Sequence, residues 1–174
     1  MIGVKLFGSA LVIISCMLFG ISAKLRIKSR LENLRNLLSC IQIFENEIRY
    51  NISDIIHIIP KIKDVANSVN SKLFSGLIIN DRRKSDIPLS KLWAQTVEES
   101  LKNSYYEKND KEILVQFGNV LGCGDVDTQL KNLDFFRTNV SELITICEKK
   151  ANKNGDLYSK VGMYVGAVIV ILLI

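Results

Sequence analysis

The sequence predicts an all-α protein: a helical bundle of about five helices with a transmembrane helix at each end. Three observations support this fold class. Uncharged apolar runs occupy both termini, apolar residues between them recur at three-and-four spacing, and no alternating strand pattern occurs. We expect an N-terminal transmembrane helix over residues 1–23, a cytoplasmic helical domain over 24–160, and a transmembrane or membrane-inserted helix over 161–174.

Each terminal run is long enough to enter a bilayer. Residues 6–23 carry no charge, and these 18 residues make roughly 27 Å of helix against a hydrocarbon core of about 30 Å. Residues 161–174 make only roughly 21 Å, so this run either spans with Lys160 reaching the interface or inserts partway. A single Lys5 precedes the first run and a dense basic cluster follows it, which favours an uncleaved anchor over a signal peptide.

The net charge of +5 is concentrated beside these two runs. Residues 36–148 carry 13 basic and 16 acidic residues, a net charge of −3. Lys and Arg beside a span stay in the cytoplasm, which predicts a cytoplasmic body and argues against a nucleic-acid surface. The membrane-orienting residues are Lys24, Arg26, Lys28, Arg30, Lys149, Lys150, Lys153 and Lys160.

The first span is predicted to continue into a long cytoplasmic helix, because no strong helix breaker occurs between Leu6 and Ile59. An apolar stripe with helical spacing runs from Leu31 to Ile59. Pro60 ends that stripe and suits the first turn of a second helix, whose own stripe extends to Leu77.

Turn signals separate the later helices. A polar, charged loop over residues 80–88 precedes a third helix that carries Trp93. Asn109 and Glu112 have the spacing of a capping box, which predicts the start of a fourth helix. Residues 122–125 (GCGD) combine glycines that end a helix with an aspartate that caps a fifth.

Few residues could support catalysis or hold a metal. His57 is the single histidine, which excludes a cluster of histidine ligands. No phosphate-binding loop, dinucleotide fingerprint or nucleophile elbow occurs. Asp125 and Asp127 resemble the start of a calcium loop but lack its glycine and terminal glutamate. The four cysteines form no C-x-x-C pair and suit reduced, buried thiols. We therefore expect a non-enzymatic protein without a cofactor that binds other proteins.

Two segments resemble a known family. Residues 44–50 (FENEIRY) resemble its L-E-x-E-I-x-Y segment, and residues 117–129 (FGNVLGCGDVDTQ) resemble its F-G-x-x-L-G-x-x-D-x-x-x-Q segment. The family is stage III sporulation protein AB, and Trp93, the chain length and the apolar termini also agree with it. One departure is clear: Asp54 and Ile55 stand where the family usually has Pro-Leu, so the end of the first long helix is expected to differ.

The resemblance implies a role in bacterial endospore formation. Family members lie in the cell membrane, in the mother-cell membrane that surrounds the forespore, as part of a secretion-like complex joining the two compartments. Their cytoplasmic domain is similar to the platform protein of type II secretion and type IV pilus systems. The implied partners are a cytoplasmic secretion-type ATPase (the AA protein of the same group), other membrane proteins of the complex, and membrane lipid, with no nucleic acid.

The two family-like segments supply the candidate partner-binding residues, and each of these also has a plain structural interpretation as a core, close-packing or capping residue. Glu45 and Glu47 are the stronger surface candidates, because a carboxylate beside an apolar stripe needs a partner. The full set is Glu45, Glu47, Tyr50, Phe117, Gly118, Gly122, Asp125 and Gln129.

Two other functions stay open. One is a platform-type adaptor of another secretion or pilus system, which expression timing during sporulation would separate from the first interpretation. The other is a membrane-surface structural protein without an ATPase partner, which a pull-down from membranes would reveal.

Overall fold

The computed structural model describes the backbone of residues 2–51, 55–81, 87–119 and 124–173, and the side chains of residues 8, 11, 14–50, 57–76, 87–119, 124–153 and 164. Within this part of the chain every regular element is an α-helix, which confirms the all-α prediction. The helices are α1 (Ile2–Asn51), α2 (Ile55–Val65), α3 (Ser68–Asp81), α4 (Leu89–Ser100), α5 (Lys108–Gly118) and α6 (Val126–Leu173).

The chain divides into two compact units, described separately below. Unit 1 consists of Met1–Ser29 and Ile146–Ile174, and unit 2 consists of Arg30–Thr145. Within the described part of the chain, no helix combines the length and apolar character that a bilayer crossing requires. Most side chains of the predicted C-terminal segment, residues 161–174, lie outside the described set.

The prediction for Pro60 was wrong. The first long helix ends at Asn51, and α2 begins at Ile55, so Pro60 is its sixth residue rather than a first-turn residue. Ile58, Ile59 and Ile62 are fully buried on the core side of α2. Burying each isoleucine stabilises by roughly 1.5–3 kcal/mol, which together outweighs the penalty of about 3 kcal/mol for an interior proline.

A helix break at Ala66 and Asn67 was not predicted from the sequence. The Asn67 side-chain oxygen accepts a hydrogen bond from the backbone N–H of Asn70 at 2.9 Å, which makes Asn67 the N-cap of α3. The single predicted second helix is therefore two helices, α2 and α3.

The predicted capping box of the fourth helix was displaced by two residues. Helix α5 begins at Lys108, and its capping box is formed by Glu107 and Asp110 instead of Asn109 and Glu112. The backbone N–H of Glu107 donates to Asp110 Oδ2 at 2.8 Å. Asp110 is buried whereas Glu112 is exposed, so a tertiary contact of Asp110, described below, selects this register.

Five aromatic rings form the centre of unit 2. Phe117 of α5 stacks on Phe136 of α6 at a centroid distance of 4.1 Å, and it meets Phe44 of α1 and Trp93 of α4 edge to face. Phe74 of α3 lies 5.8 Å from Trp93. The indole N–H of Trp93 donates to the Leu114 carbonyl at 2.5 Å, so the one polar atom of the cluster is satisfied.

Candidate functional site

Glu45 and Glu47 are both engaged in ion pairs inside unit 2. Glu45 pairs with Arg49 one turn later at 2.9 Å and lies 4.0 Å from Arg137 of α6. Glu47 accepts a hydrogen bond from Lys61 of α2 at 2.7 Å. The two carboxylates face different helices, as expected for residues two apart, and each ties α1 to a neighbouring element.

Phe117 and Gly118 belong to the core. Phe117 lies within the aromatic cluster, and Gly118 ends α5 directly against the Trp93 ring. A Cβ atom at position 118 would lie 2.8 Å from Trp93 Cγ and 2.9 Å from its Cβ, closer than side chains pack. Glycine at this position is what allows α5 to approach α4.

Asp125 and Gln129 cap the start of α6. Asp125 Oδ1 accepts a hydrogen bond from the Thr128 N–H at 3.0 Å, and its hydrogen bonds with Thr128 lower the pKa of this carboxyl. Gln129 Nε2 donates to the Gly124 carbonyl at 3.2 Å. Gly124 has a φ of +84°, a conformation that glycine adopts without strain. Gly122 lies outside the described residues.

Tyr50 is an exposed candidate. It lies one residue before the end of α1, and 76% of its surface is exposed. The candidates with described side chains therefore occupy different environments: two lie in the core, two form ion pairs, two cap α6, and Tyr50 is exposed.

Arg30 lies inside unit 2 rather than on a surface beside the membrane-orienting residues. Only 4% of the surface of Arg30 is exposed. Its guanidinium donates two hydrogen bonds to Asp110, from Nε to Oδ2 at 2.8 Å and from Nη2 to Oδ1 at 2.7 Å. Nη1 also lies 2.5 Å from Glu107 Oε1. This bidentate pair joins α1 to the capping box of α5 across 80 residues of sequence.

A network of asparagines joins α1 to the α2–α3 turn and was not predicted. Asn36 Oδ1 accepts hydrogen bonds from the Asn67 N–H at 2.8 Å and from Asn70 Nδ2 at 3.0 Å. Asn67 Nδ2 donates to Asn33 Oδ1 at 2.9 Å. The Tyr106 hydroxyl donates to Asn70 Oδ1 at 2.8 Å, and burial raises the pKa of this hydroxyl far above its usual value. The network fixes the α2–α3 turn and the segment before α5 against one face of α1.

Cys40 lies at the edge of this network. It is fully buried, and burial raises the pKa of its thiol to about 11. Among the described residues no group of three or more His, Cys, Asp or Glu side chains could hold a metal ion.

Unit 1 exposes a row of basic side chains. Ile27 and Cys147 mark where its two helical segments meet, since Cys147 Sγ lies 3.7 Å from the Ile27 carbonyl. Exposed basic residues flank this contact on both segments. We call this set the basic collar: Lys24, Arg26, Lys28, Lys149, Lys150 and Lys153. The side chain of Lys160, which was predicted with them, lies outside the described set.

Unit 1 also exposes an apolar stripe along α1. Large apolar side chains, each between 42% and 60% exposed, recur at alternating spacings of three and four on one helix face. We call this set the apolar stripe: Leu11, Ile14, Leu18, Ile21 and Leu25. Cys16, Gly20, Ala23 and Ile27 lie on the opposite side and are buried or half-buried.

The model of the family "Stage III sporulation protein AB" matches residues 5–174 of this chain. The chain belongs to this family. A relative, stage III sporulation protein AB of Bacillus subtilis (strain 168), is 25% identical over 170 residues, which cover 97% of this chain and 98% of the relative. A solved structure named stage III sporulation protein AB (SpoIIIAB) is 24% identical, covers 71% of this chain and 96% of its own, and has a TM-score of 0.64, a likeness of fold.

The resemblance predicted from the two sequence segments is thus confirmed. In this member of the stage III sporulation protein AB family, the second segment supplies a close helix approach at Gly118 and a helix cap at Asp125. Sequence reasoning assigned Arg30 to the membrane-orienting residues rather than to a buried ion pair, and it missed Asp110 and Tyr106. The signal that could have indicated them is the rarity of Arg and Asp on apolar helix faces, since such residues are buried only when paired.

Proposed function

We propose that this chain is a non-enzymatic, membrane-anchored component of a sporulation secretion-like complex, held in the mother-cell membrane around the forespore. In this proposal the terminal segments anchor the chain, and unit 2 lies in the cytoplasm and docks a secretion-type ATPase similar to stage III sporulation protein AA. Membership of the family supports the sporulation role.

The apolar stripe of α1 is the observation that supports membrane anchoring most directly. A helix face that meets water in a folded protein is normally polar, yet this face presents five large apolar side chains in succession. The opposite face already packs within unit 1. The stripe is therefore suited to an apolar environment, which the described part of the chain does not supply on that side.

Two serines in the same stretch satisfy their hydroxyl groups within the helix. Ser15 and Ser22 lie on exposed turns, and each hydroxyl donates to the carbonyl four residues earlier, Ser15 to Leu11 at 2.9 Å and Ser22 to Leu18 at 2.8 Å. Both hydroxyls are thereby satisfied without water. Exposed Thr138 and Thr145 of unit 2 make the same bond, so the pattern permits contact with acyl chains without distinguishing it from contact with water.

Unit 2 supports the role of an adaptor. Its aromatic core is closed, and its buried polar groups, Arg30 with Asp110 and the asparagine network, are paired with one another. A groove of about 720 Å³ between α4 and α5 has Val97 and Val115 in its lining, with lysines and glutamates in balanced numbers beside them. A rigid helical body with mixed surface charge is suited to protein contacts.

Membrane topology is the first test. A cysteine introduced at the exposed position Lys91 should resist a membrane-impermeant thiol reagent in intact sporulating cells and react after permeabilisation. The chain should also sediment with membranes after a high-salt wash. Labelling of Lys91→Cys in intact cells would overturn the cytoplasmic placement of unit 2, and recovery in the soluble fraction would overturn the anchoring.

Co-purification tests the ATPase. The full chain solubilised in detergent should retain the secretion-type ATPase encoded with the same sporulation complex, and not an unrelated pilus ATPase used as the control. Retention of the pilus ATPase alone would favour a platform-type adaptor of another system. Retention of neither would favour a structural membrane protein without an ATPase partner.

A further inference from the structure

The apolar stripe stops at a defined level of α1. The stripe residues, Leu11 to Leu25, are spaced alternately three and four residues apart, and Lys28 is the next residue at this spacing. The same helix face therefore changes from apolar to basic within one turn. Lys24 lies beside this boundary and is also exposed. An apolar face that ends in lysines is the pattern of a helix that leaves the acyl region of a bilayer at its headgroups.

The α6 segment of unit 1 carries a matching basic face. Three lysines follow Ile146 at helical spacings of three, four and seven residues: Lys149, Lys150 and Lys153. They share one side of the helix with Ile146, and all four residues are exposed. Cys147 lies on another side and contacts Ile27 of α1. The basic face therefore begins at the level where the two segments meet.

The Ile27–Cys147 contact brings the two basic groups to one level. It lies near the end of the α1 segment and near the start of the α6 segment of one compact unit. At about 1.5 Å per residue, Lys24 and Lys28 lie within about 5 Å of Ile27 along the axis. Lys149 and Lys153 lie within about 10 Å of Cys147.

The charge of unit 1 indicates what the collar binds. Unit 1 contains eight basic residues and two acidic ones, Glu148 and Asp156, a net charge of +6. A zwitterionic headgroup layer offers no net charge to oppose this excess, whereas an anionic layer does. Pairing both acidic residues of unit 1 with its basic residues leaves this net charge unchanged.

We propose that the basic collar is a binding site for the headgroups of anionic phospholipids, whose phosphates its lysines and arginine contact at the level where the apolar stripe ends. The proposal rests on the membrane anchoring proposed above and adds to it a class of lipid. Each Lys or Arg near an anionic surface contributes about fivefold in affinity, so three lysines together contribute on the order of a hundredfold.

Competition between two lipids tests the collar. The full chain in a nonionic detergent is given phosphatidylglycerol and phosphatidylcholine with identical acyl chains, and native mass spectrometry counts the bound molecules of each. Wild type should retain phosphatidylglycerol over phosphatidylcholine at least tenfold. That ratio should fall at least tenfold in a triple variant that combines Lys149→Gln, Lys150→Gln and Lys153→Gln. The control triple Lys63→Gln, Lys91→Gln and Lys131→Gln removes the same charge from exposed positions of unit 2 and should leave the ratio unchanged.

The salt dependence of lipid binding provides a second test that requires no substitution. The preference of wild type should collapse between about 0.1 M and 1 M salt, as the screening length falls from about 10 Å to about 3 Å. Equal retention of both lipids by wild type, or equal loss in the two triple variants, would overturn the collar while leaving the anchoring intact. A wild-type chain that does not sediment with cell membranes would instead overturn the proposed function.

Discussion

Units 1 and 2 are built from the same kind of element but distribute their polar and apolar side chains in opposite ways. Unit 2 has 15 basic and 16 acidic residues, a net charge of −1, and it buries its aromatic side chains in one core. Unit 1 has a net charge of +6 and exposes the apolar stripe. Unit 2 buries the Arg30–Asp110 pair and the asparagine network, whereas the described lysines of unit 1 are exposed.

Under the proposed membrane anchoring, one long helix serves two environments. Along α1, the face of Leu34, Leu37, Ile41 and Phe44 is buried in unit 2, as in a water-soluble bundle. In unit 1 the exposed face of the same helix is the apolar one. Substitutions in the core of unit 2 should therefore act on folding. Substitutions on the exposed surface of unit 1 should have little effect on folding and, under the proposed anchoring, should act on lipid contacts.

The largest effect is expected at the buried ion pair of unit 2. Asp110→Ala leaves the Arg30 guanidinium buried without its bidentate partner, which should cost about 3–5 kcal/mol of unfolding free energy. Thermal unfolding of the full chain in detergent, followed by circular dichroism, measures the loss. Glu112→Ala is the matched control, because the Glu112–Lys108 pair is 3.7 Å long and well exposed, and it should change stability by less than about 0.5 kcal/mol. Equal melting of the two variants would contradict the structural role of Asp110.

A pH dependence is expected from Cys40. Its thiol has an ordinary pKa of 9.0 in the unfolded chain and a pKa of about 11 in the folded protein, so the folded state holds the proton longer. The contribution to stability is complete below pH 9 and is lost as the pH rises through 11, a decrease of about 2–3 kcal/mol. Cys40→Ser removes the ionisable thiol, and denaturant unfolding from pH 8 to 11 should show a smaller decrease for it than for wild type. If the unfolding free energies of wild type and Cys40→Ser changed equally with pH, the thiol of Cys40 would not be buried and neutral.

Two glycines give a direct contrast between the units. Gly118→Ala forces a methyl group against Trp93 and should destabilise unit 2 by about 1–3 kcal/mol. Gly8→Ala meets no atom within 4 Å and removes the flexibility of an exposed helical glycine in unit 1, so it should be neutral or stabilise by about 0.5–1 kcal/mol. The melting temperature should therefore fall for Gly118→Ala and stay unchanged or rise for Gly8→Ala. Melting temperatures that fell equally in the two variants would contradict the difference in packing at Gly118 and Gly8.

The sequence predicted the helical class because its main signals are local. The three-and-four spacing of apolar residues and the lack of a breaker anticipated α1, and the GCGD segment anticipated the cap of α6 by Asp125. The errors came from tertiary contacts. Burial of three isoleucines allows Pro60 to lie within α2, and the pairing of Asp110 with Arg30 moves the start of α5.

The candidate site was harder to predict because residue type does not reveal burial. Arg30 has the same local setting in sequence as Arg26, four residues earlier, yet Arg26 is exposed and Arg30 is enclosed by Asp110 and Glu107. Only the fold distinguishes a cation that orients a helix from one that holds a core together. For the same reason Phe117 was a reasonable surface candidate in sequence and is a core residue in the structure.

The smallest effect on stability is expected at Glu47, where two roles can be separated. Glu47 pairs with Lys61 at 2.7 Å, and because Lys61 is more than half exposed the pair should contribute about 0.5 kcal/mol. Glu47→Lys places two lysines together and should lower the melting temperature slightly. The exchange Glu47→Lys with Lys61→Glu restores an ion pair of reversed polarity, so its stability should return to near wild type.

Binding of the exchanged variant to the sporulation ATPase then decides what Glu47 does. If Glu47 only joins α1 to α2, the exchange should bind the ATPase as wild type does, measured by titration of the detergent-solubilised chain. If the carboxylate also contacts a cation on the ATPase, the exchange should fold normally and bind at least tenfold more weakly, because a charge-assisted hydrogen bond is worth about 1.5–3 kcal/mol. The internal pair in unit 2 favours the first outcome, and Tyr50, with most of its surface exposed, is then the candidate to substitute next.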